Sequence, residues 1–134
     1  MHDVKYEAAM AARTTQTFLP AIRMSDTRSS SGGPCILITG GCGYIGSHTI
    51  VSLLSSPAKY SVVVLDNLCN SSRVSLDRVA EICSLDGNER RERLVFHEVD
   101  LCNEPAMRRV FDQCPKFDAC IHFAGLKVRY NEVV

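Results

Sequence analysis

Cys35-Ile36-Leu37-Ile38-Thr39-Gly40-Gly41-Cys42-Gly43-Tyr44-Ile45-Gly46 is the stretch on which the fold turns. Its first half, Cys35 to Thr39, is a short apolar run of the kind a parallel strand shows when it is buried on both faces. Glycines follow at once. They satisfy G-x-G-x-x-G through Gly41, Gly43 and Gly46, and T-G-x-x-G-x-x-G through Thr39, Gly40, Gly43 and Gly46. Such a loop lets a strand turn sharply into a helix while its backbone comes close to a pyrophosphate. A side chain at those positions blocks either the turn or the approach. The helix beyond it offers unpaired N–H groups and its positive dipole end to phosphate oxygens. A tight glycine turn without a ligand uses the same letters, so context has to decide.

That context lies just downstream. Ile45 to Leu54 reads as a helix that stops before Pro57, and Tyr60 to Leu65 as a second strand dense in β-branched residues. Asp66 stands at that strand's end, 20 residues after Gly46. A carboxylate there accepts hydrogen bonds from both adenosine ribose hydroxyls and repels a 2′-phosphate. The combination predicts NAD rather than NADP. Arg73 either softens that preference or is a surface residue.

The alternation continues. Leu76, Val79, Ala80 and Cys83 share one helical face, with Gly87 expected as the stop. Leu94 to Val99 is a third strand. Asn103 is the expected N-cap of the next helix, Glu104 and Pro105 lie in its first turn, and Met107, Val110, Phe111 and Cys114 form its stripe. Phe117 to Phe123 completes a βαβαβαβ series. The fold class is α/β: a Rossmann-like, doubly wound parallel sheet of which the first four strands are present, an incomplete domain over residues 34–134.

Residues 1–33 differ in composition and end in Ser29-Ser30-Ser31-Gly32-Gly33, just before Pro34, which reads as a flexible N-terminal extension. Arg13, Arg23 and Arg28 suit a transit peptide and Asp3, Glu7 and Asp26 do not. An upstream start ahead of Met24 is an equal alternative. Fifteen basic and fifteen acidic residues balance, so nothing in the charge points to a nucleic acid or a membrane surface. The mixed run Glu89 to Arg93 reads as a solvated loop or helix end. No apolar run approaches the ~18 residues of a membrane span.

Seven cysteines lie scattered with no C-x-x-C pair, which argues against a metal site and for free thiols in a reducing, cytoplasmic compartment. His48, His97 and His122 are expected as packing or polar core residues. The sequon Asn70-Ser71-Ser72 carries no weight in such a compartment.

Three blocks narrow the reading: Gly40 to Thr49, Asp66-Asn67-Leu68-Cys69-Asn70-Ser71, and His122-Phe123-Ala124-Gly125-Leu126-Lys127. Together they resemble UDP-glucose 4-epimerases, of the extended short-chain dehydrogenase/reductase family, over about residues 35 to 127. The resemblance implies a tightly held NAD+ and interconversion of UDP-glucose and UDP-galactose by transient oxidation at C4, a step of galactose metabolism. It implies that Gly40, Gly43, Tyr44, Ile45 and Gly46 form the pyrophosphate turn and that Asp66, Asn67, Leu68, Cys69, Asn70 and Ser71 wrap the adenosine ribose. Asp100 and Leu101 would hold the adenine edge, and Phe123, Ala124, Gly125, Leu126 and Lys127 would line the nicotinamide side. On their own letters, the lesser alternatives are Asp100 as a cap for the next helix and Lys127 as a solvated charge. A UDP-sugar partner belongs to the full-length enzyme only, and the resemblance leaves room for a homodimer there.

The family's catalytic tyrosine sits in Tyr-x-x-x-Lys. Here Tyr6, Tyr44, Tyr60 and Tyr130 meet Met10, His48, Val64 and Val134 four residues on, so no catalytic residue is assigned and this chain alone is expected to be inactive. After Lys127 the sequence departs from the family pattern, which reads as a truncated or mispredicted gene product or a splice form. Phe117 to Phe123 would then be a bare apolar edge. Two other readings stand beside the epimerase: another nucleotide-sugar epimerase or dehydratase of the same family, and a non-catalytic dinucleotide-binding module.

Overall fold

A computed structural model describes residues 32–114 and 116–126. The expectations for residues 1–31 and for Lys127 onward lie outside them. Four strands form one parallel sheet in the order β3-β2-β1-β4: β1 Cys35–Thr39, β2 Ser61–Asp66, β3 Leu94–Glu98 and β4 Ala119–His122. The helices between them are α1 Tyr44–Leu54, α2 Val74–Ile82, α3 Gly87–Arg93 and α4 Glu104–Gln113.

Every residue of β1 and β2 is buried, which is why both strands read as continuous runs rather than alternations. Their side chains still alternate between faces. Ile36, Ile38, Val62 and Val64 pack under Ile50 and Leu54 of α1 and Leu76, Val79 and Ala80 of α2. Cys35, Leu37, Val63 and Leu65 pack against Val110 of α4 and Cys114 at its C-terminal cap. Helices therefore cover both faces, and the sheet is doubly wound as expected. The pairings Ile36↔Val62 and Thr39↔His122 put β2 and β4 on opposite sides of β1. The direction of winding thus reverses between β1 and β4. In open α/β sheets the C-terminal ends of the strands beside such a reversal are where a ligand crevice is expected.

Two local readings need correction. Gly87 does not stop α2. Ser84 does, in the left-handed region at φ 51, with Ser84 N–H donating to Glu81 O and Leu85 N–H to Ala80 O. This is a Schellman ending, in which the second amide after the cap reaches back five residues and Leu85 packs against the core. Gly87 instead opens α3, whose N-cap Asp86 accepts from the amides of Asn88 and Glu89, each at 2.8 Å.

The run Glu89 to Arg93 is accordingly a helix, and not all of it is solvated. Arg93 is only 8% exposed. Its guanidinium donates to Leu54 O at 2.8 Å and to Tyr60 O at 3.1 Å, closing the C-terminal end of α1. A cation there also meets the negative end of the helix dipole.

The fourth helix begins as expected, with Asn103 Oδ1 accepting from Ala106 N–H at 3.1 Å. Of its stripe Val110 and Cys114 are buried, whereas Phe111 is exposed and meets Phe117 edge to face at 5.6 Å. Among the described residues β4 pairs with β1 alone. Ala119, Cys120 and His122 are exposed and Ile121 is half-buried. Its entry is fixed by Asp118, whose amide donates to Cys35 O and whose Oδ2 accepts from Cys35 N–H, both at 2.8 Å.

Candidate functional site

The crevice is built by the backbone first. Gly40 leaves β1 at φ +68, and its N–H donates to Leu65 O at 2.7 Å. A Cβ on Gly40 would lie 2.6 Å from Ala124 N, so only glycine allows the chain after β4 to pass this close. Thr39 ties the same crossing together. Its Oγ1 sits 2.6 Å from His122 Nδ1 and accepts from Ala124 N–H at 3.4 Å. A Cβ on Gly46 would lie 2.5 Å from Gly40 O, so α1 packs tightly onto the loop.

Gly43 is the N-cap of α1 and brings no side-chain acceptor. The first bond into the helix runs from Ser47 N–H to Gly43 O at 2.9 Å, and no acid occupies the first turn. The amides of Tyr44, Ile45 and Gly46 are thus left by helix geometry for an outside acceptor. Tyr44 and Ile45 stand 81% and 61% exposed around that opening. These are the properties of an anion seat.

Asp66 is 7% exposed at the end of β2. Its Oδ2 accepts from Cys42 N–H at 3.0 Å, while Oδ1 accepts from Leu68 N–H at 2.9 Å and from Ser71 Oγ–H at 2.8 Å. Three of a carboxylate's roughly four acceptor positions are therefore taken from within the chain. The acid organises its own loop as well as facing the crevice. Leu68 is held at φ 56, a left-handed conformation that a non-glycine residue keeps only when its surroundings impose it.

Asn67, Cys69 and Asn70 are exposed on that loop. Asn67 Nδ2 donates to Asp100 Oδ2 at 3.5 Å, joining the ends of β2 and β3. Asp100 is exposed, and the Cys102 amide at 2.8 Å, then Asn67, hold its carboxyl below the usual range. The N-cap of α4 is Asn103, so capping is not what Asp100 does. Leu101 packs half-buried beside the second core cluster.

Phe123 and Ala124 are half-buried, Gly125 and Leu126 exposed, and all four follow β4 directly. Lys127 lies outside the described residues.

Gly40 to Gly46, Asp66 to Ser71, Asp100 and Phe123 to Leu126 therefore rim one end of one sheet. Sequence reasoning missed the Cys42 amide, the Thr39 hydroxyl and the internal demand on Asp66. Only Thr39 carried a signal, as the opening letter of the glycine motif. Burial, with Asp66 close by, pushes the Cys42 thiol up to about 11. Of the histidines, His48 is exposed and donates to Tyr44 O at 2.8 Å, His122 is exposed beside Thr39, and His97 is half-buried 3.5 Å from Cys114 Sγ. The first two are thus surface rather than core residues. Arg73 stands over the Phe96 ring at 5.4 Å.

The family model for GDP-mannose 4,6 dehydratase matches residues 37–130, from the middle of β1 to beyond β4. The chain belongs to that family. Within the GDP-mannose 4,6 dehydratase family its likeness to the epimerases is pronounced. UDP-glucose 4-epimerase 2 of Arabidopsis thaliana is 53% identical over 92 residues, which are 69% of this chain and 24% of that protein. UDP-glucose 4-epimerase of Bacillus subtilis (strain 168) is 52% identical over 92 residues, with the same coverage. The chain spans about a quarter of the length of the curated relatives it matches. A crystal structure of UDP-glucose 4-epimerase from Bifidobacterium longum in complex with NAD+ and UDP superposes with a TM-score of 0.59 at 39% identity. That match covers 69% of this chain and 25% of the other. The resemblance read from the three sequence blocks is borne out.

Proposed function

We propose that residues 34–134 supply the NAD-binding part of a UDP-glucose 4-epimerase, which interconverts UDP-glucose and UDP-galactose by transient oxidation at C4. The observation that carries this is the 3.0 Å bond between the Cys42 amide and Asp66, which sets the phosphate loop and the ribose acid side by side. The residues fit a dinucleotide. A helix start free of caps and acids suits its diphosphate. The remaining acceptor position on Asp66 suits one ribose hydroxyl, and its charge disfavours a 2′-phosphate.

NAD+ bound there would supply the hydride acceptor and donor for the sugar carbon. This chain's own residues bind and orient it. The amides of Tyr44, Ile45 and Gly46 meet the diphosphate, Asp66 to Ser71 enclose the adenosine ribose, and Asp100 with Leu101 borders the adenine. Phe123 to Leu126 border the nicotinamide side, and Lys127 follows them in sequence.

Tyr-x-x-x-Lys does not occur in the 134 residues. By this reading the chain alone binds cofactor without turning over sugar, and the UDP-sugar and a homodimer belong to the full-length enzyme. Free thiols throughout the described residues suit a reducing cytoplasm.

Calorimetry with NAD+, NADP+ and UDP-galactose tests the reading. NAD+ should bind more tightly than NADP+, and UDP-galactose should go unconverted. Undetectable NAD+ binding at millimolar concentration would sink it. A dehydratase reading is favoured by the description of the family model alone. Turnover of UDP-glucose against other nucleotide sugars by the full-length enzyme separates the two.

A further inference from the structure

The glycines that let the phosphate loop approach a ligand leave it with little stiffness of its own, because glycine backbones move freely. Something outside the loop has to hold it. Cys42, lying between Gly41 and Gly43, is held on both sides. Its N–H donates to Asp66 Oδ2 at 3.0 Å, and its C=O accepts from Ser75 Oγ–H at 3.0 Å.

Ser75 lies in the first turn of α2, 33 residues away in sequence. A serine in that position ordinarily turns its hydroxyl back on its own helix. Ser75 Oγ also lies 2.9 Å from Ser72 O, which takes the Ser75 amide at 3.1 Å as well, so the hydroxyl's single proton is shared between Ser72 O and Cys42 O in a three-centre bond. For the Cys42 carbonyl, Ser75 is the hydrogen-bond donor among the described residues.

The consequence follows from peptide planarity. With the Cys42 carbonyl aimed at Ser75, the trans amide across the same plane aims the Gly43 N–H the other way. It meets Gly40 O at 3.2 Å. That turn sets Gly43 at φ −73, ψ 173 as N-cap, and so fixes where the free amides of α1 point.

We propose that Ser75 is a positioning residue for the diphosphate seat, holding the Cys42–Gly43 peptide so that the start of α1 is aimed before a ligand arrives. The inference rests on the dinucleotide reading and adds to it a residue on α2, outside the glycine loop and the acid loop.

The test titrates ADP-ribose and adenosine into the whole chain and into its Ser75→Ala, Ser75→Cys and Ser75→Thr variants, with a thermal melt of each. ADP-ribose carries the diphosphate and adenosine lacks it. Ser75→Ala should bind ADP-ribose roughly tenfold more weakly and adenosine within about twofold of the parent, the loss of one hydrogen bond felt only at the diphosphate. Ser75→Cys, close in volume and a poor donor, should behave like alanine and covers the case in which alanine does not fold. Ser75→Thr, which keeps a hydroxyl, should restore most of the affinity. ADP-ribose affinity unchanged in both Ala and Cys variants would overturn the proposal, and so would equal losses for the two ligands, which is what general damage gives. If the parent binds neither ligand, the dinucleotide reading itself fails, a result distinct from a parent that binds and variants that match it.

Discussion

Cys42 and Asp66, 24 residues apart in sequence, meet through a buried amide-to-carboxylate bond of 3.0 Å. With Leu68 and Ser71 donating to the other oxygen, the acid joins the glycine loop after β1 to the loop after β2. Asp66→Asn cannot keep all three bonds, because one of its two terminal atoms becomes a donor. Chemical denaturation should show a loss of about 1–3 kcal/mol. A second readout separates binding from stability: the ratio of NADP+ to NAD+ affinity should rise once the charge is gone. A variant as stable as the parent, with the same cofactor ratio, would contradict both roles.

Gly40 and Gly32 share a left-handed backbone, at φ +68 and +73, but not surroundings. A Cβ on Gly32 would meet nothing within 4 Å, whereas one on Gly40 would strike the Phe123–Ala124 backbone. Gly32→Ala should therefore cost only the conformational penalty, about 1–2 kcal/mol. Gly40→Ala should cost clearly more and should also displace the segment after β4. Amide exchange of Phe123 and Ala124 in the two variants reads this directly. Equal costs would mean that the crossing over Gly40 is looser than described.

How much of this was legible depends on the range over which each signal acts. The apolar runs of β1 and β2, the glycines and Asp66 are short-range features, and both the sheet and the crevice followed from them. Gly87 carries the letter of a helix stop, but Asp86 with Glu89 three residues on is an N-terminal capping pattern, and the structure follows the latter. The burial of Arg93 is hidden for a different reason. Its letters match those of Arg91, which is exposed, and only the packing of α1's C-terminal end, 39 residues earlier, separates the two. The internal bonds of Asp66 were likewise invisible, since they depend on a loop bending Leu68 into a left-handed conformation.

Arg93 should be structural and nothing more. Replacing it by Met keeps the aliphatic stem and leaves the Leu54 and Tyr60 carbonyls without their donor. A loss of about 2–4 kcal/mol is expected in urea, with Arg93→Lys intermediate because it keeps the charge and one bond. The 11-residue helix α1 separates this end from the glycine loop by about 16 Å. ADP-ribose affinity of the folded Arg93→Lys variant should therefore equal that of the parent. A large change in that affinity would show that the two ends of α1 are coupled.

Alkaline stability offers a test of the Cys42 environment. Burial, then the charge of Asp66, raises this thiol from 9.0 to about 11, so the folded state keeps its proton where the unfolded chain has lost it. Above pH 9 the unfolded state binds fewer protons than the native one, and stability must fall as pH climbs from 9 toward 11. Below pH 9 both states are protonated and the site contributes no slope. Cys35 and Cys114 are raised in the same direction by burial, so the parent should lose stability through this window more steeply than Cys42→Ala, without the variant becoming flat. Urea midpoints from pH 8 to 10.5 for the two proteins measure the difference. At pH 8 iodoacetamide should meanwhile label the exposed Cys69, Cys102 and Cys120 and spare Cys42 until the chain unfolds. Parallel pH slopes in parent and variant, or rapid labelling of Cys42 in the native state, would place that thiol in water and dissolve the packed junction between the glycine loop and Asp66.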